Sequence, residues 1–180
     1  MDAEEIICAC KREDVAEVER LLPRVRNPAG VRDGGWWTSL LHYSCRHGWL
    51  DVTRKLVEQY RCDPESRDKF GYTPLHEACR EGDVNIVRYL VSERGCSTTC
   101  QDYNSDTPLL QACREGHLAV VEILLTVQDC STACNKQSRF PLHYSCRHGW
   151  LDVTRRLVEQ YHCDPESRDK DGGMGFVVHK

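Results

Sequence analysis

The chain has 180 residues, of which 40% are hydrophobic and 29% charged, with a net charge of -4. That balance excludes the basic excess of a nucleic-acid binder, and no apolar run approaches the roughly 20 residues of a membrane-spanning helix. The acidic start, MDAEEIICACKRED, lacks the positive region of a secretory leader, so the expected location is cytoplasmic, with the nucleus as the alternative.

The array begins with residues 4–24, read as a helix pair that caps it. Ala9-Cys10-Lys11-Arg12-Glu13-Asp14-Val15 aligns with Ala112-Cys113-Arg114-Glu115-Gly116-His117-Leu118, and Glu4, Glu5, Glu13, Glu17 and Glu19 give the unit a polar outer face. Pro23 to Gly35 is the longest irregular stretch, so residues 1–35 are taken together as cap and linker. From there a period governs the chain. Glycine recurs at Gly48, Gly82, Gly116 and Gly149, and cysteine at Cys45, Cys79, Cys113 and Cys146, which spaces the units by 34, 34 and 33 residues. Residues 41–69 even return at 142–170 with only two differences. A period of that length implies one supersecondary unit per repeat, stacked on its neighbours because it cannot bury its apolar face alone.

The unit at 70–103 is the clearest. Thr73-Pro74 starts a helix, because the hydroxyl accepts an orphan amide bond and proline at the first helical position gives none up. Leu75, Ala78 and Cys79 make the apolar stripe and Gly82 ends the helix. Val84, Ile86, Val87, Leu90 and Val91 predict a second helix antiparallel to the first, and Arg94 to Tyr103 return the chain as a loop or hairpin. The other units fall at 36–69, 104–136 and 137–169, and 170–180 opens a further, incomplete repeat or tail. With no further helices predicted to cover the last unit, the chain is expected to be a fragment or a shortened product of a longer array.

Thr73-Pro-Leu-His-Glu-Ala-Cys-Arg-Glu-Gly82 and Thr107-Pro-Leu-Leu-Gln-Ala-Cys-Arg-Glu-Gly116 resemble the ankyrin repeat. The resemblance spans about residues 4 to 170. It implies an all-α repeat solenoid, a stack of antiparallel helix pairs joined by β-hairpin fingers. It also implies that His76, with His42 and His143, serves at the helix starts. Ser39-Leu40 and Phe140-Pro141 replace Thr-Pro, Leu110 replaces the histidine, and Ser105 and Ser138 stand where a finger usually has glycine. Weaker caps and irregular fingers are expected there.

The chain carries 12 cysteines and 8 histidines. Cys45, Cys79, Cys113, Cys146 and Cys62, Cys96, Cys130, Cys163 fall on two periodic positions, where buried cysteine serves as a small apolar residue. Helix spacing in a stack exceeds the reach of a disulfide, so these are expected to stay reduced. A metal or redox protein is the alternative, but no C-x-x-C pair occurs, and no cofactor is expected. No motif for an enzyme stands out.

Partner-binding candidates follow the period. Arg46, Arg80, Arg114 and Arg147 form a column that the resemblance implies faces a concave groove, where guanidinium groups could meet an acidic or phosphorylated segment. Glu81 and Glu115 stand beside two of them, so the bland alternative is a solvated helix end. Trp36, Trp37, Phe70, Tyr72 and Tyr103 gather in the fingers, and Asp106 and Arg139 vary between fingers on a constant scaffold. Aromatics and arginines are the usual anchors of protein interfaces, although Phe70 and Tyr103 could equally pack finger on finger. The expected function is a non-enzymatic, monomeric protein-interaction module or scaffold, with neither nucleic acid nor membrane as partner. The alternative is the targeting or regulatory arm of a larger enzyme, channel or ubiquitin-ligase adaptor.

Overall fold

The computed structural model describes residues 2–127 and 133–173. Within them lie ten α-helices: α1 (Asp2–Lys11), α2 (Val15–Leu21), α3 (Leu40–Arg46), α4 (Leu50–Glu58), α5 (Pro74–Glu81), α6 (Val84–Arg88), α7 (Pro108–Glu115), α8 (Leu118–Leu125), α9 (Pro141–Arg147) and α10 (Leu151–Glu159). Local chemistry sets their ends. Thr73 and Thr107 precede Pro74 and Pro108 at the helix starts, and Gly82 and Gly116 close α5 and α7 at φ 78° and 81°. Asp83 caps α6 by accepting from Ile86 N at 2.8 Å.

Inner helices α1, α3, α5, α7 and α9 touch one another in order, and α4, α6, α8 and α10 form the second layer. One apolar ridge runs through the stack. Leu56, Leu90, Leu124 and Leu157, one from each repeat, are 0% exposed, and each contributes about 2 kcal/mol by leaving water. Leu41, Leu75, Leu109 and Leu142 do the same from the inner layer. Between repeats, the outer helices are tied by Lys55 to Glu19 and by Arg156 Nε to Glu122 at 2.8 Å.

The predicted cap on α3 is stronger than its departure from Thr-Pro suggests. Ser39 Oγ accepts from His42 N at 3.3 Å and lies 2.7 Å from His42 Nδ1. The second helix of the 70–103 unit is not a uniform α-helix. It widens into a π-helical turn over Tyr89–Glu93, where Tyr89 is 1% exposed. The Tyr89 hydroxyl donates to Glu58 at 3.1 Å while Arg54 lies over its ring, so the wide turn seats a large side chain between two repeats.

Fingers form, but not as β-hairpin strands among the described residues; the one bridge fully described pairs Arg32 with Ser39. Each finger is a turn knotted by one carboxylate or amide. Asp68 Oδ1 accepts from Phe70 N and Tyr72 N, and Asp102, Asn135 and Asp169 repeat the arrangement. Asp33 does so with a longer loop, through Trp36 N and Thr38 N. A side chain that satisfies two amides at once substitutes for a ladder, so short fingers need no strands. Gly71 takes φ 83° in its turn, and Ser105 and Ser138 are forced to φ 64° and 57° at the same place. Adjacent fingers join by single backbone bonds, Lys69 N to Trp36 O and Tyr103 N to Phe70 O. Of the predicted tail, residues 170–173 complete another finger turn, and 174–180 lie outside the described residues.

Candidate functional site

Helix ends and fingers of adjacent repeats enclose an open cleft of about 370 Å³, lined among others by Trp36, Phe70, Tyr72, Arg46, Arg80 and Glu77. The fingers bring the predicted aromatics together. Trp36 and Phe70 lie 5.2 Å apart between ring centres, with Lys69 Nζ 3.6 Å over the indole and bonded to Gly35 O. Trp36 is 51% exposed, Trp37 65%, Phe70 43% and Tyr103 61%, so four large rings on consecutive fingers face solvent. Tyr72 turns inward instead, with its hydroxyl accepting from Gln111 Nε2.

The arginine column is present but largely spoken for by the protein itself. Arg46 donates through Nε and Nη2 to both oxygens of Glu77, at 3.2 and 2.6 Å, and Arg80 reaches the same carboxylate at 2.9 Å. Glu77 has no exposed side-chain surface. It was invisible as a site residue in the sequence, where Glu81 and Glu115 were the nearer candidates. Those two do pair, Glu81 with Arg80 and Glu115 with Arg114, at the exposed rim. Arg114 also lies 3.8 Å from Asp106. Asp106, expected to meet a partner, is 5% exposed and accepts from Asn135 Nδ2 and Tyr144 OH, so it is a structural group of the stack. Arg139 is tied to Asp169 and Asp171 in the next finger. Arg147 alone of the column is exposed and has no carboxylate partner among the described residues.

The histidines hold repeats together. His42, His76 and His143 each place Nε2 against a carbonyl of the next finger, Tyr72 O at 2.9 Å, Asp106 O at 3.1 Å and Gly173 O at 3.3 Å. An Nε2–H donor leaves Nδ1 to accept, from Ser39 N, Thr73 N and Phe140 N respectively. Burial pushes His42 below its usual range and His76 down to about 4. The neutral rings therefore stabilise the fold fully above the ordinary histidine pKa near 6.5, and that stability is lost as the pH falls through 6.5 toward 4, because the unfolded chain takes up protons first. Urea midpoints measured from pH 7 to pH 4 are expected to fall, with a proton uptake on unfolding that approaches about one for His76 near pH 5. In His76→Leu, which copies Leu110, the slope should be shallower; an unchanged slope would remove His76 from this role.

Burial also pushes the thiols up, Cys10 to about 12 and Cys62 and Cys96 to about 11. They are protonated at neutral pH and lack the thiolate character of a nucleophile. No group of three or more His, Cys, Asp or Glu among the described residues is gathered closely enough to hold a metal. One expectation fails: Cys163 is disulfide-bonded. It sits in the loop beyond α10, where the helix-spacing limit that keeps helical cysteines apart does not apply. Cys130, its fellow in the periodic series, lies outside the described residues.

Paired helices and finger turns, repeated unit after unit along the stack, define a helical repeat solenoid. The family model of ankyrin repeats, in three copies, matches residues 6–102 and 94–169, and the chain belongs to the ankyrin-repeat family. Ankyrin repeats are generally protein–protein interaction modules, typically without enzymatic activity. No curated protein matches the chain. Among the described residues no helix is long and apolar enough to cross a membrane.

Proposed function

We propose that this chain is a protein-interaction module whose binding face is the finger side of the repeats at 36–69, 70–103 and 104–136. The observation that carries it is the run of exposed rings Trp36, Trp37, Phe70 and Tyr103 beside the cleft. Exposed aromatics on rigid, mutually bonded fingers bind at little entropic cost, since the rings lose few rotamers and the scaffold has little to reorganise. Lys69 and Arg80 at the cleft add donors for an acidic residue of the partner, but Glu77 neutralises much of the column, so affinity comes chiefly from the rings. Location in the cytoplasm and a monomeric state belong to the same proposal.

A peptide display library panned on the full chain tests it. Enriched peptides should bind the parent and lose at least about tenfold in affinity to the Trp36→Ala, Phe70→Ala double variant. Folding should be nearly unaffected, because both side chains are exposed. Retained affinity in that variant, with loss in Arg147→Ala, would move the site to the free arginine.

A further inference from the structure

The finger tips carry positive charge that no carboxylate of the fold takes up. Lys69, Lys136 and Arg67 are exposed, and each is hydrogen-bonded to backbone carbonyls instead: Lys69 Nζ to Gly35 O at 3.0 Å, Lys136 Nζ to Tyr103 O, and Arg67 Nη1 to Gly71 O and Gln101 O. None of the three has a carboxylate within ion-pair distance among the described residues. The acids of the same turns face the other way. Asp33, Asp68 and Asp102 are 2%, 5% and 5% exposed, because their carboxylates turn inward to accept the turn amides. The exposed charge at these tips is therefore positive, on a chain whose net charge is -4.

A strained residue lies at the same edge. Trp37 occupies the turn position filled by Gly71, Ser105, Ser138 and Gly172 in the other fingers, and it takes their left-handed conformation, at φ 57°. That region is unfavourable for a bulky side chain. Packing does not compensate: the ring is 65% exposed and stacks on no other ring, unlike Trp36, which rests against Phe70 beneath Lys69 Nζ. Glycine would serve this turn better, so the fold supplies no reason for tryptophan. Strain held at an exposed aromatic points to a contact outside the chain.

Building on the finger-side binding proposed above, we infer that the tips at 34–37, 67–71, 101–105 and 136–138 take an extended, carboxylate-rich segment of a partner protein, anchored on Trp37 and selected for charge by Lys69 and Lys136. Rings and cations stand in single file along a ridge, which suits line contact with an extended chain; a helix needs a groove. Lys69 and Lys136 share one register two repeats apart, roughly 20 Å at about 10 Å per packed helix layer. An extended chain covers that distance in about six residues. Tyr103 holds the register between them, so the matching segment carries acids about six positions apart with an apolar residue between. Lysines already fixed on carbonyls meet those acids with little further ordering. Single-stranded nucleic acid uses rings and cations too, but it needs a continuous cationic track, and Glu81 and Glu115 at the neighbouring rim oppose it.

A random peptide library panned on the full chain supplies the probes. Each enriched peptide is resynthesised with its Asp and Glu changed to Asn and Gln, and both forms, together with oligothymidylate, are titrated against the chain. Acidic forms should bind at least about tenfold more tightly than their amide forms, and the difference should shrink at high salt. Lys69→Gln combined with Lys136→Gln should erase that difference while the amide forms keep their affinity. Trp37→Gly should weaken both forms by at least about tenfold with an equal or higher urea midpoint. Peptides indifferent to loss of their acids would overturn the inference and leave ring-based binding standing, whereas a library that yields no ligand would remove both. A charge preference that survives the double lysine change would also overturn it, as would a lower midpoint in Trp37→Gly, which would make that ring a packing residue. Oligothymidylate bound more tightly than any peptide would assign the edge to nucleic acid.

Discussion

Glu77→Ala is expected to lower the stability of this protein by about 3 kcal/mol, a large share of what a domain of this size retains. The carboxylate has no exposed surface and accepts from Arg46 and Arg80, two guanidinium groups that keep only 29% of their side-chain surface in water. Removing it leaves both cations without their buried partner, and the loss of one member of such a set is more damaging than the set was ever stabilising. The effect belongs at the lower end of the range for buried pairs because water still reaches both arginines. Glu77→Gln keeps the shape and one acceptor and should cost roughly half as much. Urea unfolding of Glu77→Ala, Arg46→Ala and the double variant gives the coupling between repeats; near-additive losses would show that the bridge across the stack carries no energy.

Gly116→Ala is expected to cost about 2–3 kcal/mol, for two separable reasons. At φ 81° a Cβ is strained in itself, and here it would also fall inside van der Waals distance of the Trp150 ring. The indole would have to move, releasing the bond from its Nε1 to Arg114 O at 3.0 Å. Gly149 provides the control. It takes φ 74° with nothing near the position of a Cβ, so Gly149→Ala should cost only about 1 kcal/mol. Equal losses at the two glycines would show that the Trp150 contact is not tight. If the contact is real, Gly116→Ala combined with Trp150→Ala should lose less than the sum of the two single changes.

These two positions differ in how they could be read. Gly116 was legible as a helix terminator because a left-handed residue after an apolar stripe is a local requirement. Its tight fit against Trp150 was not, since that depends on how the next repeat leans. Glu77 was hidden altogether. In sequence Glu81 is the nearer acid to Arg80, and only the stack brings residues 31 positions apart, Arg46 and Glu77, into bonding distance. The finger acids Asp68, Asp102 and Asp169 recur almost as regularly as the glycines, but their role was not legible, because it lies in how each turn folds its amides back onto one carboxylate. The solvent exposure of Trp36, Trp37, Phe70 and Tyr103 agrees with an excess of aromatics over packing need, whereas Asp106 and Arg139, singled out because they vary between fingers, are internal ties.

By itself, then, the sequence determined the repeat length, the helix starts and stops, the apolar ridge and the ankyrin-type fold, because each rests on interactions within about ten residues or on a period that stacking must respect. The tertiary structure alone decided which charges are free. An arginine's partner is whatever carboxylate the neighbouring repeat presents, and so Arg46 is locked to Glu77 while the equivalent Arg147 is exposed, with no carboxylate partner among the described residues.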